Sequence, residues 1–339
     1  MRETKPEFIH IPKSQMEEAF RQILLRHGFP SAKAATCAAI FTENSIDGVY
    51  THGVNRFSRF VKYTQQGHIL PEKEAVLKQA AGCIEQWDGQ SAAGPLNALQ
   101  CTERVMEIAG VQGMGCVALA HTNHWMRGGT YGWKAAKEGF VFIGWTNTTA
   151  NMPTWGALDN KLGNNPLVIA VPHEGEAIVL DMAMSQYSYG ALDFYELKKQ
   201  QLPVPGGFTK DGVLTTDPSA IRESQRILPI GYWKGSGLSL LLDIVATLLS
   251  GGLSTAGVSQ QKAETSVSQV FMAIDLKRLG NYKTMAASLQ QILDDYHASR
   301  PDGNSRVIFP GERVLATREE NTKNGIPVLK KVWDEIQQL

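Results

Sequence analysis

The run Thr51-His52-Gly53-Val54-Asn55-Arg56-Phe57 holds the side chains of this sequence best suited to chemistry. Histidine gives or takes a proton near neutral pH. Arginine holds a carboxylate by two parallel hydrogen bonds. Here they stand one helical turn apart, with Gly53 between them to release the backbone. A proton donor beside a carboxylate clamp points to chemistry on an acid whose reacting group neighbours its carboxylate. Arg59, a little under a turn further on, is a weaker second clamp. A helix boundary with a solvated His and Arg would use the same letters.

Other segments invite a chemical reading. Gly231-Tyr232-Trp233-Lys234-Gly235-Ser236-Gly237 precedes an apolar helix expected to begin near Leu238. Its glycines free backbone N–H groups to converge on an anion, the helix N-terminus adds a positive dipole end, and Lys234 adds a full charge. A plain Gly-rich loop ending in an N-cap fits equally well. Gly113-Met114-Gly115-Cys116-Val117-Ala118 matches the dinucleotide pattern G-x-G-x-x-A, yet it follows a helix and opens a strand. Pyrophosphate binding needs the reverse order, so these glycines read as a helix cap and turn, and a Rossmann domain is not expected. His121 and His124 end a strand and enter a Gly-rich loop without a third Cys, Asp or Glu ligand near in sequence, so no metal is expected.

The elements that must position these groups begin with helices. Ser14 with Glu17 makes a capping-box signal for a first helix, Ser31 is a plausible N-cap for a second through Ile46, and a third follows the His52 turn to about Gly67. Short apolar runs at residues 83–87, 116–120, 141–146, 167–171, 177–182, 270–276 and 306–309 read as strands. Helical periodicity covers 96–109, 131–138, 237–249 and 285–297, with a last helix over 328–338. Strands interleaved with helices give an α/β fold. The turn His173-Glu174-Gly175 joins two strands as a hairpin, so the sheet is mixed. Residues 200–229, rich in Gly, Pro, Asp and Thr, read as a long functional or mobile connection.

Lys plus Arg equals Asp plus Glu at 33 each, so no basic excess holds a nucleic acid backbone. The most apolar stretch, 238–249, is too short to span a bilayer and carries Asp243, so no membrane partner is expected. The N-terminus lacks a signal-peptide core, and Cys37, Cys83, Cys101 and Cys116 are scattered as reduced core thiols would be. A cytoplasmic location follows. The four tryptophans Trp125, Trp133, Trp145 and Trp155 read as core or interface packing.

Five segments occur in register: residues 51–57, Asn123-His124-Trp125-Met126-Arg127-Gly128-Gly129, Leu162-Gly163-Asn164-Asn165-Pro166-Leu167, Leu180-Asp181-Met182-Ala183-Met184-Ser185, and residues 231–237. With these, the chain from about Ser14 onward resembles the type II malate/L-lactate dehydrogenase family of nicotinamide-dependent 2-oxo acid reductases. The resemblance implies a three-layer α/β/α fold with a mixed, largely antiparallel sheet. It also implies a helical subdomain over 1–75, joined by about 310–339, beside an α/β domain over 76–309. His52 would be the proton donor and Arg56 the carboxylate clamp. Ile178, Val179, Leu180, Asp181, Met182 and Ala183 would contact the cofactor, as would Trp233, Lys234 and the segment Gly311-Glu312-Arg313. Arg59, Asn123, His124 and Arg127 would line the substrate pocket.

The runs His124-Trp125-Met126-Arg127-Gly128-Gly129 and Tyr187-Ser188-Tyr189-Gly190, with Arg226-Ile227-Leu228-Pro229 leading into residues 231–235, are like those of a subgroup acting on a 2-oxo sugar acid, 2,3-diketo-L-gulonate. That subgroup implies NADH and a homodimer. Three departures bear on the cofactor: Glu312 where the subgroup commonly has His, Asn164 where the wider family has Thr, and Tyr189-Gly190 where many members carry a basic residue. Arg313 offers a partner for the extra phosphate of NADPH, so both cofactors stay open. Other acids (malate, lactate, ureidoglycolate or a cyclic imino acid), a metal-dependent hydrolase using His121 and His124, and a non-catalytic sugar-acid binder are the alternatives.

Overall fold

In the computed structural model, which describes residues 7–303 and 306–339, prolines set the first two helices. After strand β1 (Phe8–Ile11) come α1 (Lys13–Arg26), α2 (Ser31–Ile46), a 3-10 turn at Tyr50–His52 and α3 (Val54–Gln65). The expected caps are corrected here. Pro12 and Pro30 precede the helices, and their carbonyls accept the first helical bonds from Met16 and Ala34. Ser14 and Ser31 therefore lie inside the first turns, because a proline with fixed φ already sets the entry.

The α/β part follows as β2 (Val76–Ala81), β3 (Ile84–Asp88), α4 (Gly94–Gln112), β4 (Met114–Asn123), α5 (Gly129–Lys137) and β5 (Phe140–Thr146). Next come β6 (Met152–Pro153), β7 (Asn160–Leu162), β8 (Leu167–His173) and β9 (Glu176–Met182), then α6 (Tyr189–Leu197), β10 (Gly207–Phe208), β11 (Leu214–Thr215) and α7 (Pro218–Ser224). The chain ends with α8 (Trp233–Ser250), α9 (Thr255–Ser259), β12 (Thr265–Asp275), α10 (Tyr282–His297), α11 (Glu312–Asn324), β13 (Ile326–Leu329) and α12 (Lys330–Gln337).

Seven strands form the main sheet in the order β2-β3-β4-β12-β5-β8-β9. Only the β3–β4 neighbours run parallel; the other pairs are antiparallel, including the β8–β9 hairpin. Helices α4 and α5 cover one face through Val105, Val117, Trp125, Tyr131, Phe142 and Phe271. Helix α8 covers the other with Leu242 and Ala246 against Cys116, Trp145 and Val270. The fold is thus a three-layer α/β/α sandwich on a mixed sheet. Gly113 ends α4 and leads into β4, so the G-x-G run sits between helix and strand as its order required.

A separate core is helical. Phe20, Phe41 and Phe57 pack together, with Phe20 and Phe57 stacked at 3.9 Å between centroids, and Trp333 and Ile336 of α12 close it. The expected C-terminal helix over 328–338 is shortened. Ile326–Leu329 instead pairs antiparallel with β1, since Pro327 and two β-branched neighbours favour extended chain. The expected strand over 306–309 is irregular: Phe309 N–H is taken by the Glu312 carboxylate, and Pro310 follows. The region 200–229 is built of β10, β11 and α7 around Leu192, Leu202, Ile221 and Ile227, not a bare loop.

Candidate active site

His52 owes its position to α2. Ser45 Oγ donates to Phe41 O at 2.8 Å and accepts from Val54 N at 2.9 Å, capping α3 from the neighbouring helix. Gly53 presses on this junction: a Cβ there would fall 2.3 Å from Ser45 Oγ and 2.9 Å from Ser45 N. Its φ is −118°, so close approach and not a left-handed turn demands glycine. Buried Asn44 finishes the clamp. Its Nδ2 donates to His52 O at 2.9 Å, and its Oδ1 accepts from Thr130 Oγ1 at 2.6 Å.

His52 and Arg56 open on a cleft of ≈ 2020 Å³ between the helical core and the β9 edge of the sheet. Arg59, His124, Arg127, Val179, Asp181, Ala183, Gly311 and Val314 share its walls. Ser188, Tyr189, Gly190 and Arg222, from α6, α7 and the turn before α6, complete them. The His52 and His124 rings stack at 5.5 Å between centroids, 19° from parallel. Thr51 Oγ1 lies 3.2 Å from His52 Nδ1, which leaves Nε2 for a ligand. His124 Nδ1 accepts from Met126 N at 2.9 Å, so its proton sits on Nε2.

Burial, reinforced by Arg56 and Arg127, holds the His52 pKa down to about 4. Burial, Arg56, His52 and Arg59 also hold His124 well below the ordinary histidine range. Both rings are neutral near pH 7 until an anion offsets the arginines. Arg56 has no hydrogen-bond or ion-pair partner among the described residues, and burial followed by Arg59 lowers its pKa. A withdrawn guanidinium without an internal partner is built to meet an anion from outside.

Several expected site residues are engaged elsewhere. Arg127 lines the cleft, but its guanidinium pairs with Asp47, each side chain only 5% exposed. Asp47 also accepts from Arg318 at 2.6 and 3.0 Å, and both guanidiniums lie over the Trp133 ring. Arg127 is thus committed to a buried network joining α2, α5 and α11. Asn123 lines only a side recess, and its amide nitrogen lies 2.9–3.1 Å from the carbonyls of Ala92, Ser91 and His68. It ties two loops to the end of β4.

The cofactor segments divide in the same way. β9 is a sheet edge, and Val179, Asp181 and Ala183 face the cleft with the two-residue period of a strand, whereas Ile178, Leu180 and Met182 do not line it. Val179 N donates to Pro310 O at 3.2 Å, which lays Gly311 on that edge. Gly311 has φ +92°, and a Cβ on it would stand 3.2 Å from Val179 N, so only glycine lets α11 start beside the strand. Asp181 Oδ2 accepts from Gly129 N at 2.7 Å, while Oδ1 has no partner among the described residues. Burial raises the Asp181 pKa against the opposing pull of Arg127 and that N–H.

Glu312 turns away to Arg306 (2.6 Å) and His297 (3.0 Å), and exposed Arg313 does not line the cleft. Trp233 and Lys234 also stay out of it. Helix α8 starts at Trp233, five residues before the expected Leu238, so Gly235 and Gly237 are helical. The positive φ of Gly231 and Tyr232 turns this start outward, leaving Trp233 65% exposed.

Sequence reasoning missed Glu264, Arg222, Thr148 and Asn44. Asn44, inside the polar run Thr42-Glu43-Asn44-Ser45 of an otherwise apolar helix, carried a readable signal; the others carried none. A second groove of ≈ 1350 Å³ lies under α10, but its walls are mainly apolar and gather no His–Arg pair like that of the cleft. Among the described residues no three His, Cys, Asp or Glu side chains are gathered to hold a metal. His121 pairs with Asp88 at 3.2 Å, away from His124.

The comparisons agree with one another. A family model described as malate/L-lactate dehydrogenase matches residues 11–337. A 2,3-diketo-L-gulonate reductase of Klebsiella pneumoniae (strain 342) is 47% identical over 328 residues, 96% of this chain and 98% of that protein. A reductase of the same name from Citrobacter koseri is 46% identical over 327 residues, with the same coverage of both chains. The fold is similar to that of sulfolactate dehydrogenase from Methanocaldococcus jannaschii, with a TM-score of 0.90 at 24% identity over 97% of this chain and 96% of that one.

Proposed function

This chain belongs to the malate/L-lactate dehydrogenase family, and on that premise we propose its reaction: reduction of 2,3-diketo-L-gulonate to 3-dehydro-L-gulonate by NADH. The protein is an oxidoreductase of 2-oxo acids. The observation that carries the specific reading is the unpartnered Arg56, one turn from His52, in a cleft walled by the β9 edge and the start of α11.

Arg56 holds the substrate carboxylate by two hydrogen bonds. The bound anion offsets the charges that depress His52, so the ring takes up a proton where it is needed. His52 Nε2 gives that proton to the 2-oxo oxygen as negative charge builds there. His124, with its proton on Nε2, adds a second donor beside it. The hydride for the carbonyl carbon would come from the nicotinamide cofactor when it is bound.

The chain offers surfaces that fit a dinucleotide. The glycine cradle at Gly311 leaves room where a Cβ would fill it, at the N-terminus of α11, whose positive dipole end favours phosphate. The free Oδ1 of Asp181 suits a ribose hydroxyl, and a carboxylate there disfavours the extra phosphate of NADPH. Arg313, the residue that would favour NADPH, stands outside the cleft. These points support NADH.

A homodimer is supported by the outer face of α8, where Trp233, Leu240, Leu241, Ile244 and Leu248 are all more than a third exposed. A cytoplasmic site is supported by four cysteines that are all free thiols. No helix of the described residues is long and apolar enough to cross a membrane.

The deciding experiment is a panel of 2-oxo acids with NADH and NADPH in parallel, followed at the reduced nicotinamide band and repeated with a chelator. Fastest turnover with 2,3-diketogulonate and NADH, insensitive to chelation, is expected. A tenfold preference for malate- or lactate-type partners would move the assignment to another acid.

A further inference from the structure

Among the described residues Glu264 is the only carboxylate that lines both the main cleft and the smaller recess opening from it. The recess, ≈ 300 Å³, is bounded by Arg56, Arg59, Tyr63, Asn123, His124 and Met126 as well. Glu264 lies in the chain leading into β12, on the opposite element from α3 that carries the arginines. Among the described residues it makes no hydrogen bond and no ion pair. Arg56 feels its charge, since Glu264 pulls the guanidinium pKa upward against burial. Two opposite charges therefore share one cavity without closing on each other. An arginine left open asks for an anion, and a carboxylate left open asks for O–H or N–H donors.

We infer that Glu264 is the residue that recognises the hydroxylated tail of the substrate, accepting hydrogen bonds from its hydroxyl groups while Arg56 holds the carboxylate at the other end. This rests on the reductase reading above and names what that site selects. A sugar acid satisfies both groups at once. A short acid such as pyruvate offers Glu264 no donor. A dicarboxylate such as oxaloacetate sets a second negative charge against it. The same side chain thus favours one class of acid and rejects another.

The test compares wild type with Glu264→Gln and Glu264→Asp on 2,3-diketogulonate, pyruvate and oxaloacetate. A hydrogen bond to a charged group changes affinity by roughly 10- to 100-fold. In Glu264→Gln the ratio of kcat/KM for the sugar acid over that for pyruvate should fall at least tenfold, mainly through KM. The ratio for oxaloacetate over pyruvate should rise, and Glu264→Asp should keep part of the sugar-acid preference. Ratios within threefold of wild type, or an equal loss on all three acids, overturn the inference. Calorimetric binding of L-gulonate and L-lactate supplies an arm that needs no turnover. Wild type should prefer L-gulonate, and Glu264→Gln should erase the preference; an unchanged preference overturns the inference. If wild type reduces no 2-oxo acid yet the binding preference depends on Glu264, the reductase reading falls and the tail recognition stands.

Discussion

The imidazoles of His52 and His124 lie stacked with centroids 5.5 Å apart, although one ring comes from the α2–α3 junction and the other from the end of β4. Burial holds both rings down, Arg56 bears on both, and His52 further lowers the tendency of His124 to charge. The pair is held neutral by its surroundings and by a backbone N–H on His124 Nδ1. A carboxylate docking at Arg56, as proposed above, would remove part of that restraint. On the proposed reading, substrate binding and proton uptake would thereby be coupled in this cleft.

His52→Ala should abolish turnover while leaving NADH affinity nearly unchanged, as measured by single-turnover kinetics and fluorescence titration. Retention of more than a tenth of wild-type rate would remove His52 from the proton-donor role.

The pH profiles should separate free enzyme from complex. The profile of kcat/KM reports the free enzyme, whose His52 titrates at about 4, and kcat reports the bound state. The apparent pKa in kcat should therefore be the higher of the two. Coincident values would mean that the docked anion does not recharge the ring.

The same depression makes a stability prediction. A histidine near 6.5 unfolded and about 4 folded takes up protons preferentially when unfolded, so stability falls as pH drops from about 6.5 towards 4. The loss from His52 alone is at most about 3 kcal/mol. Denaturation midpoints of His52→Asn should fall less steeply over that window than those of wild type.

Asp47→Ala should destabilise the fold by about 3–5 kcal/mol, because it strands a buried Arg127 and frees Arg318. Urea titration reads this directly. A loss below 1 kcal/mol would show that the arginines find other partners.

Gly311→Ala forces a left-handed residue and brings a Cβ to 3.2 Å from Val179 N, so the start of α11 is strained against the β9 edge. NADH binding should weaken about tenfold or more, with a stability cost of about 1–3 kcal/mol. Unchanged NADH affinity would separate this edge from the cofactor.

Much of the scaffold was legible in the sequence. The strands through 83–87, 141–146 and 177–182 appear within a residue or two, because alternation and hairpin turns are local signals. The short pair β1–β13 was not, since Ile326 and Val328 gain strand character only from a partner at the other end of the chain. Helix starts slipped where proline replaced a side-chain cap, and at Trp233, where positive φ at Tyr232 set the first turn.

For the site, the letters alone set a histidine and an arginine four residues apart across Gly53, close enough along the chain to reach one cleft. Which charges remain available was decided only in three dimensions. Arg127 is taken by Asp47 across 80 residues of chain, Asn123 by carbonyls of two loops, and Glu312 by His297 and Arg306, while Arg56 is left open. Charge pairing acts through space and leaves no periodic trace, so a free arginine and a bound one read the same until the chain folds.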